Sequence, residues 1–220
     1  MGELFTATKR LAVQELGKWI LRDTFDKSTN HWTYSINVKY RIGRISSFSH
    51  DGTYAFRVYG EAPDAPTKPG RMLAFRPVAT WKKDITYAYV IVSDLYLTNN
   101  GYIEILLRHS PTAPYTWGVR IAPRGGKWKY LQSDGTWADG TFTFTGQYIH
   151  QGFHYGLVVN PQTGKYVALY IHGERYDIHT LEAPTDVTLG ARQNFFAYGL
   201  YLEDTTAQWV DFDEVGVAVL

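Results

Sequence analysis

The chain is predicted to be all-β, a two-sheet antiparallel β-sandwich of the jelly-roll kind. Three observations carry this. Apolar and aromatic side chains recur at every second residue through most of the 220 residues, the period of a strand with one buried face. Turn signals of Gly, Pro, Asn and Asp separate these runs at short, even intervals, leaving room for on the order of a dozen short strands. Aromatic residues make up 16%, with 17 Tyr and 7 Trp beside 20 Gly, a composition that suits strands and tight turns better than helices.

Residues 1–20 read as an N-terminal arm or first strand, and residues 21–220 as a single sandwich domain. Leu4, Phe5, Leu11, Val13, Leu16, Trp19 and Ile20 are too many apolar side chains to leave in water. The arm is therefore expected to dock on another copy of the chain and make a homo-oligomer. After a polar connection, Trp32, Tyr34, Ile36, Val38 and Tyr40 alternate with polar residues as one half-buried strand. A turn at 49–52 leads to Tyr54, Phe56 and Val58. Residues 61–71 are rich in Pro and read as a surface loop.

A long strand follows from Ile85 to Leu97, with Ile85, Tyr87, Tyr89 and Ile91 at its odd positions. Asn99-Asn100-Gly101 turns it into Tyr102–Arg108. Trp117, Val119 and Ile121 share a face, Trp128 and Tyr130 follow a Gly turn, and Phe142 and Phe144 alternate with threonines. Phe153, Tyr155, Leu157 and Val159 have one parity. Asn160–Gly164 forms a turn into the return strand Tyr166–Ile171, and His172-Gly173-Glu174 is a tight turn into Tyr176–Ile178. Strands at 186–189, 195–202 and 209–220 complete the set.

Charge and composition exclude several classes. The 22 basic and 21 acidic residues leave a net charge of +1 with no basic run, which argues against a nucleic-acid partner. Cysteine is absent, so disulfides and thiolate metal sites are excluded and the redox compartment stays open. No apolar run reaches membrane-spanning length. The N-terminus shows no apolar segment followed by a small-residue cleavage site, and a virion surface or an extracellular location both fit.

The meander at 151–178, entering and leaving by Gly turns, resembles those of the laminin G-like and concanavalin A-like jelly rolls. The run from Asp23-Thr24-Phe25 to Tyr54-Ala55-Phe56-Arg57-Val58 resembles the opening of bacterial carbohydrate-binding sandwiches. The resemblance implies a lectin/glucanase-type sandwich over residues 21–220 and carries no catalytic residue with it.

A sandwich of this kind can carry four chemistries. Retaining glycosidases of this fold resemble one another in a Glu-x-Asp-x-x-Glu strand, because retention needs two carboxylates ~5 Å apart. This chain has no such string. Glu104 stands alone in mid-strand with the parity of Tyr102 and Arg108, and is expected in a structural ion pair. A lyase needs a Tyr or His base and cations to neutralise a uronate. The parts are His150, His154, Tyr155, Tyr170 and His172, with Arg41, Arg57, Arg108 and Arg120 on strands. Alginate-lyase-like jelly rolls carry an Arg-rich strand, a Gln-x-His strand and a Tyr-x-Lys-x-Gly-x-Tyr strand, and Tyr148-Ile149-His150 only echoes the second. These side chains are expected to be ordinary residues of wet strand faces.

Carbohydrate-binding jelly rolls also often hold one structural Ca²⁺ where the first and last strands meet. Asp23, Asp26, Asp211 and Asp213 are the candidate ligands. The histidines have no transition-metal spacing. Sugar stacking calls for aromatic side chains beside loops, and Trp81, Tyr115, Trp117 and Trp137 are the candidates. Each of them, taken singly, fits the core of a sandwich of this size better than it fits a ligand contact. The reading is a non-enzymatic recognition or assembly module. It is either a lectin-like, carbohydrate-binding domain or a structural protein of a phage or viral particle surface. A polysaccharide-degrading enzyme, lyase ahead of glycoside hydrolase, is the alternative.

Overall fold

The computed structural model describes residues 18–26, 32–36, 39–45, 54–61, 69–78, 85–109, 115–146, 153–185 and 194–220. Among them are fifteen strands and no helix. The first sheet runs β3 (Lys39–Ile45), β4 (Ala55–Glu61), β15 (Gln208–Val219), β6 (Thr86–Tyr96), β11 (Phe153–Asn160), β12 (Lys165–Ile171), β13 (Glu174–Asp177). The second runs β2 (Thr33–Ile36), β5 (Gly70–Pro77), β14 (Phe195–Leu202), β7 (Gly101–His109), β8 (Tyr115–Ala122), β9 (Lys127–Leu131), β10 (Trp137–Asp139). Strand β1 (Lys18–Asp23) pairs with the second half of β15, beyond the half that pairs with β4. The fold is the two-sheet antiparallel sandwich that the alternation predicts.

One apolar cluster fills the space between the sheets. Val90, Leu157 and Val217 come from the first sheet, Ile105, Trp117 and Tyr198 from the second, and none of the six is exposed. Each such side chain contributes about 1.5–3 kcal/mol by leaving water. The meander at 153–178 folds as read. His172 (φ 53°) and Gly173 (φ 81°) make the two-residue turn between β12 and β13, the left-handed pair that a twisted hairpin requires.

Several expectations are corrected. The single strand expected at 32–40 is two strands in different sheets, β2 and β3. A chain crossing between facing sheets keeps the same side chains toward the shared core, so alternation cannot reveal the crossing. Strand β5 begins inside the loop expected at 61–71. The odd positions of β6 do not face the main core, which takes Ala88, Val90 and Val92 instead. Tyr87, Tyr89 and Ile91 lie on the outer face and are themselves buried. Phe142 and Phe144 belong to no strand, and Phe142 stacks on Tyr176 at 4.3 Å. Residues 1–17 of the expected arm lie outside the described residues, while its last three, Lys18, Trp19 and Ile20, are part of β1. The strand expected at 186–189 also lies outside them.

Strand β15 carries a bulge that matters for both faces. Its register with β6 shifts between Asp211 and Phe212 and again between Phe212 and Glu214, so that the register passes over Asp213. Strict alternation would send residues 211 and 214 to opposite sides. The extra residue puts both carboxylates on the outer face. There Asp211 takes two 2.7 Å bonds from Arg57, and Glu214 takes bonds of 2.9 and 3.1 Å from Arg22.

Candidate carbohydrate-binding face

The outer face of the second sheet is assembled by register. Glu104 of β7 lies opposite Gly199 of β14 on one side and Arg120 of β8 on the other, and Arg120 lies opposite Lys129 of β9. Alternation points Glu104 and Arg120 outward, because Ile103, Ile105, Val119 and Ile121 point into the core. Arg71 of β5 reaches across β14 to the same carboxylate, where Gly199 has no side chain to block it. Its Nε is 3.1 Å from Glu104 Oε2 and its Nη2 is 2.5 Å from Oε1.

Arg120 is the centre of the arrangement. Its guanidinium carbon lies 3.7 Å from the Trp137 ring centre and 3.4 Å from that of Tyr201. Aromatic ring faces attract a cation on both sides. Nε sits 3.4 Å from Glu104 Oε2 without a well-formed hydrogen bond. Arg120 is 6% exposed. Burial pulls its guanidinium below its ordinary range, with Glu104 opposing the shift and Arg71 adding to it. Trp137 and Tyr201 remain half-buried.

Next to this slot, buried Tyr102 donates to Glu203 at 3.2 Å, and Lys129 bonds the same carboxylate at 2.7 Å. Burial pushes the Tyr102 hydroxyl up, helped by Glu203. Lys127 and Lys129 approach the Tyr102 ring at 5.6 and 5.3 Å. The face therefore offers two half-open aromatic rings, a flat buried cation and two lysines. As expected, Glu104 is in an ion pair: Arg71 takes both of its oxygens, and Arg120 Nε approaches one of them at 3.4 Å.

Of the four expected sugar-stacking residues, Trp137 belongs to this face. Trp117 is fully buried and donates its indole N–H to Gly164 O at 3.1 Å, so it is core. Tyr115 packs on Trp117 at 5.6 Å, away from the slot. Trp81 lies outside the described residues. The expected lyase parts do not converge. Arg120 is here, Tyr155 is in the core, and His154 and Tyr170 lie on the outer face of the first sheet against Tyr87. His154 Nε2 bonds the Tyr87 hydroxyl, and Tyr89 donates to Glu214 beside it. His150 lies outside the described residues.

Three of the four aspartates expected to hold calcium accept hydrogen bonds from within the chain. Asp211 is committed to Arg57. Asp23 accepts the Phe25 amide at 2.8 Å and the Trp32 indole at 2.7 Å, and Asp26 accepts Thr24 at 3.1 Å. Donors on those oxygens compete with a cation. Among the described residues no group of three His, Asp or Glu is placed to hold a metal. The calcium proposal thus rests on the sequence alone.

Sequence reasoning missed Arg71, Tyr201 and the central role of Arg120. A signal for Tyr201 existed. Phe195–Tyr201 reads Phe-Phe-Ala-Tyr-Gly-Leu-Tyr, which ends in the Gly-x-Tyr of the lyase strand named above but has Phe195 in place of its first Tyr and Ala197 in place of its Lys.

The chain matches no protein-family model and no curated protein. Solved structures are similar to it in fold. The endo-β-1,4-glucuronan lyase of the fungus Trichoderma reesei is 12% identical over 92% of this chain and 96% of its own, with a TM-score of 0.61. A carbohydrate esterase of the Shiga toxin-encoding bacteriophage phi24B is 8% identical over 92% and 99%, with a TM-score of 0.57. The β-glucanase of Bacillus licheniformis is 10% identical over 91% and 97%, with a TM-score of 0.54. Such a likeness is one of fold alone, and at that level the sandwich resembles the concanavalin A-like jelly rolls.

Proposed function

We propose that this chain is a non-enzymatic carbohydrate-recognition module and that it binds glycan on the outer face of the second sheet. The observation that carries the reading is the slot in which Trp137 and Tyr201 flank Arg120. Half-exposed aromatic rings stack on the C–H faces of pyranoses, and fixed polar heads beside them orient hydroxyls. The three similar structures named above are of enzymes whose names specify glycans or carbohydrate, which fits the theme. Recognition is favoured over hydrolysis because Glu104, central to the face, has both oxygens engaged by arginines. Assembly into an oligomer, free or on a particle surface, would multiply weak sites through effective concentration.

The test is a glycan array, followed by titration of the best ligand against the native chain and Trp137→Ala. Removing one stacking ring should weaken binding about tenfold while the melting temperature holds. An array without hits, or a variant that binds as well as the native chain, rejects the reading. The lyase alternative has one observation behind it, the Tyr201 ring against a cation. Its test is the appearance of unsaturated product from a polyuronate, abolished in Tyr201→Phe.

A further inference from the structure

We infer that Arg120 makes this face selective for acidic sugars, by taking a uronate-type carboxylate at its guanidinium edge. The inference rests on the carbohydrate reading of the face and names its ligand class. Arg71 and Arg120 both approach the one carboxylate of Glu104. Arg71 takes both carboxylate oxygens with good geometry, so Arg120 has only the 3.4 Å approach of its Nε to share in that charge. Of the other acids on this side, Glu203 is engaged by Lys129 and Tyr102, and Asp139 stands opposite Lys129 on edge strand β10. Among the described residues, Nε of Arg120 is buried with no hydrogen-bond partner.

A guanidinium that is 6% exposed has lost most of its hydration, and its two ring faces supply attraction but no hydrogen-bond acceptor. A buried charge in that state is costly unless paired. An anion arriving between Trp137 and Tyr201 completes the pairing. A planar carboxylate matches the fork of a guanidinium held flat between rings, and bidentate pairs of this kind are among the stronger hydrogen-bonded contacts. A neutral sugar offers only hydroxyls and leaves that charge unpaired. Discrimination then follows from the unpaired charge as much as from the new contact.

The experiment compares polygalacturonate and alginate with their carboxyl-reduced forms, and adds dextran sulfate as a non-carboxylate polyanion. Titrations are run at fixed ionic strength. Native protein should bind an acidic polymer about tenfold or more tightly than its reduced form, and more tightly than dextran sulfate. Arg120→Gln should bring the acid-to-reduced ratio toward unity, and Arg120→Lys should restore part of it. Equal affinity for acidic and reduced polymers overturns the inference and leaves the carbohydrate reading standing. Dextran sulfate binding as tightly as the polyuronates also overturns it, in favour of a general polyanion contact. Failure to bind any polymer or any array glycan removes the carbohydrate reading and the inference with it. If the variants lose their native melting transition, the native protein's ratio between acidic and reduced polymers decides by itself.

Discussion

The guanidinium of Arg120 lies 3.4 Å from the ring centre of Tyr201, a side chain 81 positions away in sequence (201 − 120). Strand β7 stands between their two strands in the sheet. Its outward Glu104 comes within 3.4 Å of Arg120 Nε, and the Trp137 and Tyr201 rings lie 3.7 and 3.4 Å from the guanidinium carbon.

Replacing Glu104 with Gln should therefore be severe. It leaves Arg71 and Arg120 close together without their shared carboxylate. Loss of one partner from a buried ion pair costs about 3–5 kcal/mol. Urea unfolding of Glu104→Gln measures it, and the double change with Arg120→Met should recover part of the loss. A single-variant loss under about 1 kcal/mol would show that the cluster is not structurally coupled.

The two tryptophans weighed as sugar-stacking residues should separate cleanly. Trp117 fills the core and satisfies Gly164 O, so Trp117→Ala should cost about 3–5 kcal/mol. Trp137 sits half-buried on edge strand β10, and its removal should cost much less. Thermal unfolding of both variants ranks them, and equal losses would contradict this placement.

Gly156→Ala tests the outer face of the first sheet. A Cβ at this position meets the Tyr87 ring at 2.4 Å and its hydroxyl at 2.5 Å. Tyr87 would have to swing away and give up its bond to His154. Overpacking of this kind costs about 1–3 kcal/mol. A variant with native stability, measured by chemical unfolding, would mean the ring is free to move.

His172 should add an acid-sensitive component to stability. Its ring is packed among Phe144, Phe153 and Tyr155, neither ring nitrogen has a hydrogen-bond partner, and burial lowers its pKa from 6.5 to about 4. The folded value lies below the unfolded one. Stability is therefore full above pH 6.5 and declines as pH falls toward 4, by at most about 3 kcal/mol. His172→Asn keeps a residue that tolerates φ 53° and removes the titrating ring. The urea midpoint of the variant should fall less than the native one between those pH values. Parallel curves would show that His172 is charged or solvated in the folded chain.

Local periodicity determined most of the architecture. The parity of Tyr155, Leu157 and Val159, the turns at Asn160–Gly164 and His172-Gly173, and the shared face of Trp117, Val119 and Ile121 are properties of adjacent residues, and a strand expresses them directly. Glu104 as an ion-paired side chain was legible in the same way, since a lone carboxylate in mid-strand needs a partner. Which sheet each strand joins was decided only in three dimensions. Ile36 and Tyr40 continue one alternation, yet their strands pair with β5 and β4 in different sheets, because both sheets offer the same core to the same parity. The bulge at Asp213 likewise reverses the face that parity assigns to Glu214. The slot around Arg120 draws on β8, β10 and β14, with Glu104 of β7 beneath it and Arg71 of β5 on the same carboxylate. Its partners become neighbours through strand order, and strand order is set by the burial of whole faces against one another, a sum over distant residues that no short stretch of sequence contains.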